Sequence, residues 1–214
     1  MSRTLSAGFW FVLSLPLAFF LGRALFPAAA LYTRALSPDA INWIGAVPKL
    51  VFSAMAGVLA TGIWRRFEAG NPSKIAWLLL AGGLLGLFAG QAILAWFFLT
   101  VGRTDVFPSV GDLFFVAGSL AVVAALVLFL RAYRATGFPL GDRRELWRTA
   151  AGATLVAAAV VLPLLRPIVQ APAPPLEKLL NITYPLLDFL MLIPALLLLR
   201  VSFRFRGGRV WAVW

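Results

Sequence analysis

The chain contains no cysteine and no histidine among its 214 residues, and only 13% of its residues are charged. Without these two side chains it has no disulfide, no thiol nucleophile, no imidazole base and no zinc site of the usual Cys/His kind. Soluble domains carry about 25% charged residues, so a water-facing surface cannot be covered with what is present. The sequence therefore predicts a non-enzymatic protein embedded in lipid, with no cofactor and no metal.

What the chain has instead is apolar residues, which make up 62% of it. Six runs are long enough to cross a hydrocarbon layer of about 30 Å, which takes roughly 20 helical residues. Helices are expected because lipid offers the backbone no hydrogen-bond partner. The sequence predicts an all-α polytopic membrane helix bundle, a single integral membrane domain over 1–214. Its six transmembrane helices are placed near residues 7–30, 38–64, 73–101, 109–131, 145–166 and 176–200.

The two ends of the chain raise two questions: whether the first apolar run is cleaved as a signal peptide, and whether the chain continues after Trp214. The first run begins after Arg3 and reaches Ala28 to Ala30 as a signal peptide would, but Arg23 interrupts it, so we expect a retained helix. At the other end, Arg209 to Trp214 resembles the interfacial start of a seventh helix. We therefore expect this chain to belong to a longer one.

The basic residues predict the orientation. They concentrate at the N-terminus, in the 65–74 and 131–148 connections and in the C-terminal stretch from residue 200, and they are sparse on the other side. Lys and Arg are retained on the cytoplasmic side of short loops. We expect a multi-pass protein of the inner (cytoplasmic) membrane of the cell with both termini in the cytoplasm. The clusters are short and form no continuous stripe, which argues against nucleic acid as a partner.

Small residues four apart allow membrane helices to approach closely. Two spans carry such rows, and we interpret both as packing faces that point inward. The rows are Ser53, Gly57 and Thr61 in the second span, and Gly82, Gly86 and Gly90 in the third.

Lys49 lies inside the second span, four residues before Ser53. A lysine in a span is costly and normally faces a partner or a water-filled cavity. Counted from the outer ends, Lys49, Gln91 and Asp188 lie at similar depths, with Tyr184 one turn from Asp188. We expect these four residues to form a buried polar cluster, with Lys49 paired to Asp188. That pair either locks the helix packing or belongs to a ligand or ion site.

Asp112 follows Ser109 by three residues at the start of the fourth span. This is the spacing of a capping box, in which each side chain satisfies an orphan amide of the first helical turn. Capping alone is the favoured interpretation, and a functional role for the Asp112 carboxylate is the alternative.

Three phrases resemble a known group of proteins. They are Phe-Pro-Ser-Val-Gly-Asp-Leu-Phe-Phe at 107–115, Tyr-Pro-Leu-Leu-Asp at 184–188, and Gly-Arg-x-Trp at 208–211. Together, over about 105–214, they resemble the multi-span N-terminal membrane regions of bacterial signalling proteins, which precede diguanylate cyclase or histidine kinase output domains. The resemblance implies a sensory or scaffolding input module, with Asp112 and Asp188 at motif positions. Because no output domain follows, signalling would need the rest of a longer chain or a separate partner.

Two other functions stay open beside this one. The first is an accessory structural subunit of a larger membrane complex, with other membrane subunits and the lipid bilayer as its partners. The second is a small-solute or proton-coupled transporter, because two carboxylates and a lysine could relay protons. No recognisable catalytic constellation is present for an enzyme.

Overall fold

Five α-helices account for most of the described part of the chain. The computed structural model describes residues 38–102, 107–135 and 143–204, and no strand occurs in these ranges. In chain order the helices are α1 (Pro38–Arg66), α2 (Pro72–Val101), α3 (Val110–Ala135), α4 (Arg143–Gln170) and α5 (Pro175–Arg204). They correspond to the second to sixth predicted spans. The first predicted span and the start of a seventh helix lie outside the described residues.

Four segments of these helices are long and apolar enough to cross a membrane, which indicates an integral membrane protein. They are Trp43–Arg66, Pro72–Val101, Val110–Ala135 and Pro175–Leu199. In α4 the apolar stretch is shorter and covers Val161–Gln170. The all-helical, membrane-spanning character thus agrees with the sequence, whereas a total of six spans stays a prediction.

The ends of α2 show how local chemistry sets a helix boundary. The Asn71 side chain accepts a hydrogen bond of 2.8 Å from the backbone N–H of Ser73, and Pro72 occupies the first turn, where no N–H is needed. At the other end Gly102 adopts the left-handed conformation with a φ of 67°, and its N–H donates to the carbonyl of Phe98 at 3.0 Å. Both ends therefore satisfy backbone groups that the helix leaves unpaired.

The chain divides into two compact units between Met55 and Ala56, inside α1. In the first unit the described residues, 38–55, are the first part of that helix, with Pro48 inside it. In the second unit α2 packs on α3, and α5 packs on both α3 and α4. The predicted single domain over 1–214 stays a prediction.

The buried positions of the second unit are occupied mainly by small side chains, whereas the large apolar ones face outward. Ala76, Ala81 and Ala125 are at most 3% exposed, while Leu113 and Leu155 are more than 70% exposed. A water-soluble protein rarely exposes so much contiguous apolar surface. The distribution is the one expected where lipid covers the outside of each helix and close backbone approach holds the inside together.

Glycines form the contact between α2 and α3. A methyl group at Gly83 would lie 2.8 Å from the carbonyl oxygen of Gly118, and one at Gly90 would lie 3.0 Å from that of Gly111. The higher-numbered residue of α2 meets the lower-numbered residue of α3, so the two helices run antiparallel. Trp77 and Phe129 agree with this direction, since their rings meet edge to face with centroids 5.1 Å apart.

The predicted glycine row on α2 needs one correction. Gly86 and Gly90 do face α3, with Gly86 close to the Cα of Gly118. Gly82 is exposed instead, and a methyl group there would meet no atom of the described residues within 4 Å. Gly83 takes its place in the contact, because residues spaced strictly four apart drift around a helix of 3.6 residues per turn, so the face toward α3 follows the mixed three- and four-residue spacing of Gly83, Gly86 and Gly90.

The three residues of the predicted row on α1 do not all make the same kind of contact. Gly57 is buried, and a methyl group on it would lie 2.7 Å from a side-chain carbon of Leu85 on α2. The hydroxyls of Ser53 and Thr61 donate to carbonyls of their own helix, those of Lys49 at 2.6 Å and Gly57 at 2.8 Å. Gly57 is therefore the member of this row for which the structure gives a contact between helices.

Candidate functional site

The first turn of α3 holds a carboxylate that is almost fully buried. Asp112 is 6% exposed. Its Oδ2 accepts a hydrogen bond of 2.5 Å from the backbone N–H of Ser109 and one of 3.0 Å from the Ser109 hydroxyl. The backbone N–H of Asp112 in turn donates to the carbonyl of Ser109 at 3.1 Å. The acid thus reaches back to the residue before the helix, as the second half of a capping box does.

A third hydrogen bond reaches the same carboxylate from α5. The hydroxyl of Tyr184 donates to Oδ1 of Asp112. The Tyr184 ring also meets Phe115 of α3 edge to face, with centroids 6.4 Å apart and an interplanar angle of 81°. Ser109, Asp112 and Tyr184 therefore join α5 to the beginning of α3, and we call these three residues the α3–α5 joint.

The hydrogen-bond donors of the joint carry no charge. Its three donors to Asp112 are two hydroxyls and one backbone N–H, all of them neutral. An ionised carboxylate only accepts hydrogen bonds, so its two oxygens fit this set of donors. Both oxygens are engaged in contacts within the protein. The arrangement suits a hydrogen-bonded connection between helices better than proton transfer to a substrate.

The polar cluster expected from the sequence is only partly brought together. Tyr184 lies at the joint, but its hydrogen bond goes to Asp112, which the sequence separates from the cluster as a cap. Gln91 is half-buried on α2, next to the Gly90 that packs on Gly111, the residue before Asp112. The side chain of Asp188 is exposed on α5, one turn beyond Tyr184.

Lys49 lies on α1 in the first unit, and its side chain is exposed. Asp188 belongs to the second unit, so the pairing of the two charges stays a prediction from the sequence.

The contact between Asp112 and Tyr184 is the feature that the sequence analysis missed. The two residues are 72 positions apart, and no local pattern links them. The available signal was that each stands in one of the phrases on which the family resemblance rests, at 107–115 and 184–188. A carboxylate and a phenol near the starts of two apolar helices are natural partners, since each needs a hydrogen bond when buried.

A second polar contact ties α4 to the start of α5. The ammonium group of Lys178 donates to the carbonyl of Val169 at 2.8 Å, and the backbone N–H of Lys178 donates to the carbonyl of Pro174 at 3.0 Å. The carbonyl of Val169 lies in the last turn of α4, where carbonyls lack partners within the helix. These two hydrogen bonds of Lys178 hold the short 171–174 connection between α4 and α5.

Comparisons with family models, with curated proteins and with solved structures find no match to this chain.

Proposed function

We propose that this chain is a membrane-embedded input module of a bacterial signalling protein, in which the α3–α5 joint transmits a change in helix packing. The observation that carries the proposal is the Tyr184–Asp112 hydrogen bond, a polar contact between helices that otherwise meet through small and apolar side chains. The module performs no chemistry itself. It sits in the cytoplasmic membrane with both termini inside.

The joint can act as a switch because the strength of its hydrogen bonds depends on which donors reach Asp112. In a low-dielectric environment a hydrogen bond to a carboxylate is strong, and an unpaired buried carboxylate is costly. A ligand that supplied another donor to Asp112 would compete with the Tyr184 hydroxyl directly. Losing that contact would release α5 from the start of α3 and favour a second arrangement of the two helices.

α5 is placed to carry such a change away from the joint. It runs from Pro175 to Arg204, about 45 Å at 1.5 Å per residue, and Tyr184 lies in its first third. A helix released near one end can tilt or slide at the other, which is a common way in which membrane and signalling helices pass on a signal. The basic residues Arg200 and Arg204 mark that far end.

Spin labels can test this proposal. Because the native chain has no cysteine, the labels attach only at the cysteines that are introduced. Val127 on α3 and Leu199 on α5 are exposed and lie far along each helix from the joint. With both changed to labelled cysteines, the distance distribution between the labels is measured in lipid nanodiscs. If the joint couples the helices, Tyr184→Phe shifts or splits the distribution. An unchanged distribution in Tyr184→Phe would contradict the proposal.

A matched control uses the neighbouring hydroxyl. Thr183 donates to the carbonyl of Leu179 at 2.8 Å, so Thr183→Val also removes one hydroxyl from α5, but one whose hydrogen bond lies within its own helix. We expect the distance distribution of this variant to match that of the unmutated labelled protein.

The second candidate is an accessory structural subunit of a larger membrane complex, and one face of α4 favours it. Ala151 and Gly152 are exposed, and a methyl group on Gly152 would meet no atom of the described residues within 4 Å. Small exposed residues of this kind let another helix approach closely. Co-migration with a large complex in stoichiometric amount on native gels would favour this role over the input module. The transporter is the third candidate, supported only by the charged residues inside its spans.

A further inference from the structure

Two arginine pairs stand at one end of the second unit. Arg131 and Arg134 occupy the last two turns of α3, and Arg144 and Arg148 occupy the first two turns of α4. All four side chains are exposed. Residues three or four apart on a helix are neighbours on one face, so each pair presents two guanidinium groups side by side.

Contacts at the other end place the two pairs at the same end of the second unit. The α3–α5 joint connects the start of α3 to the first third of α5, and Lys178 connects the end of α4 to the start of α5. The start of α3 and the end of α4 are thus both held near the start of α5. The end of α3 and the start of α4 therefore both lie toward the opposite end of the second unit.

Two neighbouring arginines on one helix face repel each other, and such like-charged pairs destabilise a helix unless something compensates for them. On α3 neither arginine has an acidic residue three or four positions away. Near the pair on α4 the sequence has two acids, Asp142 and Glu145, and a further arginine, Arg143. The end therefore keeps a clear excess of positive charge, which an anion would relieve.

The position along the helix favours a lipid as the source of that anion. The apolar part of α3, Val110 to Leu130, has about the length that a hydrocarbon core of about 30 Å requires. The arginines that follow it thus come at the depth of the lipid phosphates. Trp147 stands between Arg144 and Arg148 and is 66% exposed. Exposed tryptophan is typical of the headgroup level, where its ring is partly in contact with acyl chains.

We propose that this end of the protein binds the phosphate of anionic membrane phospholipids through the pairs Arg131–Arg134 and Arg144–Arg148. The guanidinium group offers a planar fork of donors that matches phosphate oxygens, and two forks on one helix face can hold one phosphate between them. The apolar side chains around the pairs would meet the acyl chains of the same lipid. This inference does not depend on the input role.

The test measures lipid binding to the purified, delipidated chain by native mass spectrometry, with phosphatidylglycerol as the anionic probe and phosphatidylcholine as the neutral one. We expect phosphatidylglycerol to bind more tightly. Each double variant, Arg131→Gln with Arg134→Gln and Arg144→Gln with Arg148→Gln, should weaken its binding about thirtyfold, since each arginine near a membrane surface contributes about fivefold.

Two controls separate a lost site from a damaged fold. Arg166→Gln removes an exposed arginine from the other end of α4, and we expect it to leave phosphatidylglycerol binding within about twofold of the starting value, because that side chain is far from both pairs. The charge-keeping variant Arg131→Lys with Arg134→Lys should bind phosphatidylglycerol more tightly than the glutamine double variant but more weakly than the unmutated protein, because the charge is kept and the planar fork is lost.

Three results would overturn the proposal. The first is equal binding of the two lipids to the unmutated protein, and the second is an unchanged preference in both glutamine double variants. The third is loss of the preference in millimolar inorganic phosphate at constant ionic strength, which would identify a site for a free anion.

Discussion

The Tyr184 hydroxyl donates a hydrogen bond to Oδ1 of Asp112, which joins the first third of α5 to the first turn of α3. The carboxylate of Asp112 thereby has two roles. One oxygen connects α3 to α5, and the other caps α3 by accepting from the backbone N–H and the hydroxyl of Ser109. A residue that a local pattern describes as a helix cap is also the contact point of a second helix. This double engagement makes the stability of the bundle depend on one carboxylate.

Removal of the Tyr184 hydroxyl should destabilise the protein. Tyr184→Phe keeps the ring that packs on Phe115 but leaves Oδ1 of the buried Asp112 without its donor. Loss of one partner of a buried group costs about 1–3 kcal/mol, so we expect the free energy of unfolding to fall by that amount. Unfolding in mixed detergent micelles, followed by circular dichroism, gives the value. Thr183→Val, which removes a hydroxyl bonded within its own helix, should change it by less than about 0.5 kcal/mol.

The coupling between the two residues can be measured with a double-mutant cycle. In Asp112→Asn, an amide group replaces one oxygen at a position where only donors converge, so at least one of them loses its acceptor. If the Tyr184 bond is part of the stabilisation, combining Asp112→Asn with Tyr184→Phe should cost less than the sum of the two single changes. Residues in contact couple by about 0.5–3 kcal/mol. Strictly additive effects would show that the two side chains do not support each other.

The helices themselves could be predicted from the sequence because their causes are local. The predicted spans at 38–64 and 73–101 match α1 (Pro38–Arg66) and α2 (Pro72–Val101) to within two residues at each end. An apolar run long enough to cross lipid marks each helix, and Asn71 with Pro72 marks the start of α2. These signals lie within a few residues of the boundary that they set.

The contacts between helices could not be predicted in the same way. Gly82 and Gly83 are equally small and adjacent, and which of them faces α3 depends on the rotation of α2 against its neighbour. Asp112 and Tyr184 are 72 positions apart, with the rest of α3, all of α4 and the beginning of α5 between them. A polar residue in a span shows that it needs a partner, but the arrangement of the helices decides which partner it has.

Ser109 allows the two tasks of Asp112 to be weighed separately. Ser109→Ala removes the hydroxyl donor at 3.0 Å but keeps the backbone N–H donor at 2.5 Å and the Tyr184 contact. Because both oxygens of Asp112 keep a partner, we expect a loss of only about 0.5–1.5 kcal/mol in the free energy of unfolding. The same micelle unfolding experiment measures it. A loss larger than that of Tyr184→Phe would mean that capping dominates and that the contact with α5 is secondary.

Two glycines, one on α3 and one on α2, provide a test of the α2–α3 contact. In Gly118→Ala the new methyl group would lie 2.8 Å from the carbonyl oxygen of Gly83 and 3.0 Å from the backbone nitrogen of Leu87, and backbone atoms cannot move aside as a flexible side chain can. Overpacking of this kind costs about 1–3 kcal/mol, which outweighs the gain of about 1 kcal/mol from placing alanine in a helix. The free energy of unfolding should therefore fall.

Gly82→Ala is the matched control, because it makes the same chemical change on α2 where no described atom lies within 4 Å of the added methyl group. Only the helix-propensity gain then remains, so the free energy of unfolding should rise by up to about 1 kcal/mol. Opposite signs for the two variants, measured in the same micelles, would support the face of α2 that the contacts assign to α3. If Gly82→Ala were the more destabilising of the two, α2 would have to be rotated back to the face that the four-residue spacing suggests.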